Sequence, residues 1–173
     1  SDNAAWAVMQ SAVHELWARD QSGKLEQRLA YNLSRAFATF PWPPQPPPTE
    51  AANSLLRMRT SISNTRQMCL TDLYNEVHDK NISDPQIQRL RELHRDIDDA
   101  VCAAYGFTLP LEHGFHETRQ GVRYSVSDRA RRLILQNLLS LNEDRAGLSG
   151  RSDGHARHSD DVEADENGNR QAD

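Results

Sequence analysis

Cysteine is scarce: Cys69 and Cys102 are the only two in 173 residues, too few for a disulfide framework and not spaced as the C-x-x-C pairs of a zinc ribbon. No apolar run approaches the roughly 18 residues that a membrane span needs, so no membrane association is expected. No charged segment precedes an apolar stretch at the start, so no secretory signal is legible. Mean hydropathy is −0.78. These absences predict a soluble protein in a reducing, cytoplasmic setting. The signatures of common catalysts are missing too. There is no G-x-x-x-x-G-K-[ST] phosphate loop, no G-x-G-x-x-G, no H-E-x-x-H and no G-x-S-x-G. Lysine is nearly absent, with Lys24 and Lys80 alone; almost every basic residue is arginine.

The charge that is present is uneven. Residues 1–146 hold 17 Lys and Arg against 18 Asp and Glu, net −1; residues 147–173 hold 3 against 7, net −4. The acidic balance therefore belongs largely to the C-terminal segment, and local patches decide what the rest can bind. The chain opens on Ser1-Asp2-Asn3 without a methionine, which reads as a piece of a longer chain or one from which a tag has been removed.

Periodicity organises the remainder. Trp6, Met9, Val13, Leu16 and Trp17 recur at helical spacing and predict one helix over 3–19, with Asp2 or Asn3 as its cap. Leu25, Leu29 and Tyr31 predict a strand over 25–31. Six prolines within 41–48 exclude helix and central strand, and read as an extended spacer or, less simply, a proline-rich recognition motif. Thr49 is placed to cap a helix from Glu50. Leu55, Leu56, Met58, Ile62 and Met68, then Leu70, Leu73 and Val77, fit two helices or one broken one. Ser83-Asp84-Pro85-Gln86 predicts a helix start with Ser83 as cap and Gln86 completing a capping box. Ile87, Leu90, Leu93, Ile97, Val101 and Ala104 line the next helix, closed by Gly106. Around Arg119-Gln120-Gly121 the period changes to that of a hairpin. Ser127 caps a last helix through Ala130, Leu133, Ile134, Leu138 and Leu141, and from Gly147 the composition predicts disorder. The expected fold is mainly α: a small helical bundle with a β-hairpin, plus a partial N-terminal α/β piece. The expected divisions are 1–40, a proline-rich linker over 41–49, a helical domain over 50–146 and an acidic tail over 147–173.

Few side chains suggest chemistry. His113-x-x-His116 with Glu117 has metal-like spacing but no distant ligand set, and reads as two hairpin residues. His14, His78 and His94 read as surface or capping histidines. Cys69 and Cys102 read as small buried hydrophobes. Asp98 and Asp99 read as the polar side of a helix. Arg119, Arg123, Arg129, Arg131 and Arg132 lie within fourteen residues that hold one acid, Asp128, a local balance of +4. Arginines and a helix N-terminus both favour phosphate, against the plainer reading of a solvated face.

Two stretches resemble a known family. The first is Leu25 to Pro43, ending Phe37-Ala38-Thr39-Phe40-Pro41-Trp42-Pro43, with Val13-His14-Glu15-Leu16-Trp17-Ala18 upstream. It resembles the end of the target-recognition domain in large bacterial restriction–modification DNA methyltransferases, departing from that pattern at Ala30, Leu33 and Arg35, where Arg, Pro and Asp are usual. The second runs through Leu73-Tyr74-Asn75, His78-Asp79, Asp84-Pro85, Ile87, Leu90-Arg91-Glu92-Leu93-His94, Asp98, Ala100-Val101, Ala104-Tyr105-Gly106 and His113 to Tyr124. It resembles the C-terminal region of the single-chain type II enzymes.

The resemblance implies the recognition and scaffolding part of an adenine-specific, S-adenosylmethionine-dependent methyltransferase, often fused to a nuclease. Its partners would be double-stranded DNA and the methyltransferase catalytic core. The family's Asn-Pro-Pro-[Tyr/Phe] motif and Gly-rich cofactor loop do not occur here, so no catalytic residue, cofactor or metal is assigned to this chain. The expected DNA contacts are Arg119, Gln120, Arg123, Arg131 and Arg132. Two other readings stand beside this one: a module that docks on the methyltransferase core through Trp6, Trp17, Phe37, Phe40 and Trp42 without touching DNA, or a remnant without function. Those five aromatics have few local partners in the sequence, which predicts a loosely packed N-terminal segment.

Overall fold

The computed structural model describes residues 2–21 and 36–155. Among them the chain forms six helices and one two-stranded antiparallel hairpin: α1 (Asp2–Met9), α2 (Ala12–Gln21), α3 (Glu50–Arg66), α4 (Leu70–His78), α5 (Pro85–Tyr105), β1 (Gly114–Thr118), β2 (Gly121–Ser125) and α6 (Asp128–His155). The mainly helical fold with a hairpin is as expected; the strand expected over 25–31 lies outside the described residues.

α5 is the central post. Its expected apolar stripe is buried at Ile87, Leu90, Leu93, Ile97 and Val101, and half-buried at Ala104. It packs against α1, α2, α3 and α4. Its start differs from expectation in one detail: Asp84, not Ser83, is the cap. The Asp84 carboxylate accepts from the N–H groups of Gln86 and Ile87 at 2.8 and 3.3 Å, and Pro85 fills the first helical position. A carboxylate satisfies two of the unpaired first-turn donors at once and suits the positive helix end. Gly106 closes the helix at φ 75°, where a side chain would be strained.

The N-terminal periodicity resolves into two helices, because Ser11 interrupts it. Its hydroxyl donates to Val8 O at 2.6 Å, and its oxygen accepts from the His14 N–H at 3.4 Å. Thr49 stands at the start of α3 but makes no capping bond with its side chain; its hydroxyl instead lies 3.5 Å from the Asn53 amide. The α3–α4 apolar run is two helices, with Gln67 turning the chain at φ 50°. The expectation of two buried cysteines holds for Cys102 alone; Cys69 precedes α4, is exposed and meets the Asp72 carboxylate at 3.1 Å. The last helix is capped by Ser127, whose hydroxyl accepts from the Ala130 N–H at 3.1 Å. It runs on to His155, into the segment whose composition predicts disorder. A first half nucleated by packing makes each further turn inexpensive.

The loose N-terminal packing expected from the aromatics is not what forms. Val8, Val13, Trp17 and Phe40 share one core with Leu55, Leu73, Leu90, Val101 and Ile134. Trp17 is fully buried, with the Phe40 ring edge-on at 6.3 Å, while Phe40 meets Trp42 at 5.1 Å. The proline-rich stretch is tied down as well: Tyr105 donates to Pro41 O at 2.7 Å, and Arg145 to Trp42 O at 2.6 Å. Partners distant in sequence, α5 and α6, supply the surface that local residues lack.

Trp17→Ala should therefore lower the free energy of unfolding by about 3–5 kcal/mol. Trp17→Phe should cost clearly less, because it keeps a ring in place and deletes a buried indole N–H that has no hydrogen-bond partner. Urea unfolding of the two variants checks this; equal losses would mean that the site is not a packed core.

Candidate nucleic-acid interface

A polar seam beside the apolar stripe of α5 builds the hairpin face. Arg91 is 3% exposed. Its guanidinium donates to four carbonyls: Val77 at 2.9 Å, Ile82 at 3.0 Å, Glu76 at 3.2 Å and Asp79 at 2.7 Å. These are the last turn of α4 and the turn that follows it, where Glu76 O and Asp79 O also accept the backbone N–H groups of Asp79 and Ile82 at 3.2 Å. Over the same guanidinium lie the rings of Phe115 at 4.9 Å and Tyr124 at 5.9 Å. Phe115 and Tyr124 are directly paired across the hairpin, while His116 pairs with Arg123 on the opposite face. One side chain of α5 thus fixes the end of α4 and the seat of the hairpin together.

Further along α5, Asp98 is buried rather than on the helix's polar side as expected. Its carboxylate accepts from the Ala12 N–H at 2.7 Å and lies 3.0 Å from His113 Nε2. It therefore caps α2 from another helix and holds the segment that enters β1. Burial pushes this carboxyl above its ordinary range, against the opposing pull of the His113 and Ala12 hydrogen bonds. Of the other two residues of that spacing, His116 bonds Glu112 O at 2.8 Å and Glu117 is exposed. Among the described residues no group of three or more His, Cys, Asp or Glu is placed to hold a metal.

Between these two groups, His94 meets the Tyr74 hydroxyl at 2.8 Å. That oxygen accepts from Arg59 at 3.3 Å, and Arg59 also donates to Gln10 Oε1 at 3.0 Å. With the His94 ring neutral and its proton on Nδ1, the Tyr74 O–H donates to Nε2 while its oxygen accepts from Arg59. Desolvation first, then the charge of Arg59, holds His94 down to about 4. The histidines expected at the surface are thus partly structural.

The expected DNA contacts divide into two kinds. Arg119 and Gln120 form the exposed hairpin turn, and Gln120 Oε1 accepts from Arg19 of α2 at 3.2 Å. Arg132 is exposed in the first turns of α6, paired with Asp128. Arg131 reaches back to Glu117 O at 3.1 Å and braces the hairpin on α6. Arg123 is half-buried, with its Nε lacking a hydrogen-bond partner, and it faces a cleft with Asn75, His78, Asp79, Lys80, Asn81 and Val122. Arg119, Arg129 and Arg132 are exposed at the tip of the hairpin and the start of α6. Nothing local in the sequence points to Asn75, Lys80 and Asn81, because they lie more than forty residues from the Arg123 they join.

Of the five aromatics offered for docking, Trp17 and Phe40 are spent in the protein's own core, and Phe37 is exposed at 41%. No helix among the described residues is long and apolar enough to cross a membrane. Compared with known proteins, the chain matches no family model, no curated protein and no solved structure.

Two outcomes test the seam. Arg91→Met should destabilise the fold by roughly 3–5 kcal/mol, since it leaves buried carbonyls unpaired, and Arg91→Lys should recover part of this but not all, lacking the planar fork. Chemical denaturation with near-ultraviolet circular dichroism of Tyr124 and Phe115 reads both; a stable Arg91→Met variant would remove Arg91 from this role. For His94 the folded value, about 4, lies below the unfolded 6.5, so the unfolded chain binds the extra proton between them. Stability is full above pH 6.5 and falls as pH drops towards 4, by up to about 3 kcal/mol from this group. His94→Gln should flatten that slope. A residue of it should survive, since burial lowers His14 and His78 in the same sense. An unchanged slope would show that His94 is solvated.

Proposed function

We propose that the chain is the DNA-recognition and scaffolding part of a site-specific adenine DNA methyltransferase of a restriction–modification system, with no catalytic centre in its described residues. The observation that carries this reading is where the residues of the second resembling stretch go. Tyr74 and His78 from α4, Arg91, His94 and Asp98 from α5, and His113, Phe115 and Tyr124 around the hairpin converge on one seam. The family-like positions are therefore spent on holding a hairpin against a helical post, which is a scaffold's task. The seam leaves Arg119, Arg129 and Arg132 outward. Phosphate contact is the chemistry such a surface supports: arginines on a hairpin turn and at a helix N-terminus, with no extended element to read base edges in a groove.

In this reading S-adenosylmethionine and the adenine-binding motif belong to the catalytic core that the chain would brace, and the partners are that core and duplex DNA. Binding by this chain should be weak, nearly independent of sequence and strongly dependent on salt. Replacing Arg119, Arg129 and Arg132 with Ala should reduce the slope of log affinity against log salt by about 0.9 for each phosphate no longer neutralised. Arg131 is left in place because it braces the hairpin. Fluorescence anisotropy with a duplex across a salt series reads the slope. Parent-like affinity and slope in the triple variant would reduce the patch to a solvated face and favour docking on the core.

A further inference from the structure

We propose that the cleft between the end of α4, the turn over 79–81 and β2 is a binding site for a phosphate group, with Lys80 and Arg123 supplying charge and Asn75 and Asn81 supplying neutral donors. The cleft measures about 320 Å³ and is lined by Asn75, His78, Asp79, Lys80, Asn81, Val122 and Arg123. That is roughly ten times a water's share of the liquid, room for a phosphodiester and its flanking esters.

Three observations favour an anion. Lys80 is exposed and has no ion-pair partner among the described residues, and the Arg123 guanidinium has an unpartnered Nε–H. A buried N–H of a cation without an acceptor is a costly arrangement that a ligand at the mouth of the cleft can relieve by drawing the guanidinium into a bonded position. The one carboxylate in the lining, Asp79, is already engaged: its Oδ1 accepts from the Asn81 backbone N–H at 2.9 Å and from the Asn81 amide at 3.0 Å. Finally, the end of a helix ordinarily repels anions, but here the α4 carbonyls of Glu76 and Val77, and those of Asp79 and Ile82, are all occupied by Arg91. The charged groups around His78 and in the lining are Arg91, Arg123 and Lys80 against Glu15 and Asp79, a formal balance of +1. Burial lowers the His78 pKa, and the charges of Arg123 and Arg91 lower it further, against an opposing pull from Glu15.

Two sources offer the same chemistry, the backbone of a duplex or a free phosphate-bearing small molecule. Assigning the duplex rests on the function proposed above; the chemistry of the cleft does not. The test titrates the full chain with inorganic phosphate and, separately, with a short duplex, following the amide signals of Asn75, Lys80, Asn81, Val122 and Arg123 and the His78 ring by NMR. Both probes should move these signals and raise the His78 pKa. Lys80→Ala, at an exposed turn position that the fold does not depend on, should weaken phosphate binding, and Lys80→Ala with Arg123→Gln should weaken it by about tenfold or more. Signals that phosphate leaves unmoved, or binding that both variants retain in full, overturn the site. Duplex shifts confined to Arg119, Arg129 and Arg132, with inorganic phosphate still bound in the cleft, keep the site for a small molecule and leave the DNA reading standing. Phosphate binding in the cleft with no duplex binding keeps the site, assigns it to a small molecule and overturns the DNA reading instead.

Discussion

The end of α4 is where the fold is decided, because four carbonyls there accept from one side chain, Arg91 of α5; Glu76 O and Asp79 O also take a backbone N–H, whereas Val77 O and Ile82 O rely on the guanidinium. A buried guanidinium is expensive to desolvate, and its enclosure is tolerable only where its donors are filled and its faces covered. Both conditions are met, the donors by carbonyls at the negative end of a helix and the faces by Phe115 and Tyr124. A lysine could meet neither, having one rounded charge and no plane to stack. Since the same side chain grips α4 and seats the hairpin, the distance between the turn over 79–81 and β2 is set by it. What the cleft can offer a ligand, Lys80 from one side and Arg123 from the other, inherits that spacing.

α5 performs this through two stripes rather than one. The apolar stripe joins the helices in a common core. The polar stripe, Ile87 giving way to Arg91, His94 and Asp98 at spacings of four, three and four, tethers in turn the end of α4, the α1–α3 junction through Tyr74 and Arg59, and the start of α2 with the approach to β1. Buried polar networks of this kind specify one arrangement because each member is costly when unpaired. The apolar stripe could tolerate small slips between helices; the polar one could not.

That polar stripe also marks the limit of what is legible in the sequence. The apolar periodicity of α5, its Gly106 close, the hairpin turn at Arg119-Gln120 and the Ser127 cap are all readable, since each depends on residues within a few positions of one another. The burial of Arg91 and Asp98 is not, although their spacing matches that of a core face; a charged residue at core spacing looks like the solvated flank of an amphipathic helix until its partners are known. Those partners, the α4 carbonyls and the Ala12 N–H, are backbone groups with no sequence signature. The break at Ser11 and the choice of Asp84 over Ser83 turn on competition between adjacent polar residues. Trp17 and Phe40 look unpartnered only because α5 and α6 lie far along the chain.

A chain whose first 146 residues balance to −1 is an unpromising polyanion ligand until its carboxylates are followed individually. Asp98 is buried, Asp84 caps α5 and pairs with Arg66, Glu76 pairs with Arg66 as well, Glu15 pairs with Arg19, and Asp79 is folded into its own turn. These five acids are committed to structure. On the hairpin, Glu117 is paired with Val122 and alternation places it on the face away from Arg123. Arg119 and Arg129, by contrast, have no ion-pair partner among the described residues, and neither do Arg123 and Lys80. Net charge therefore misdescribes this surface, because what an approaching anion meets is the local field. The most important step in making that field positive is made from inside, by Arg91, which neutralises the helix end that would otherwise face the ligand.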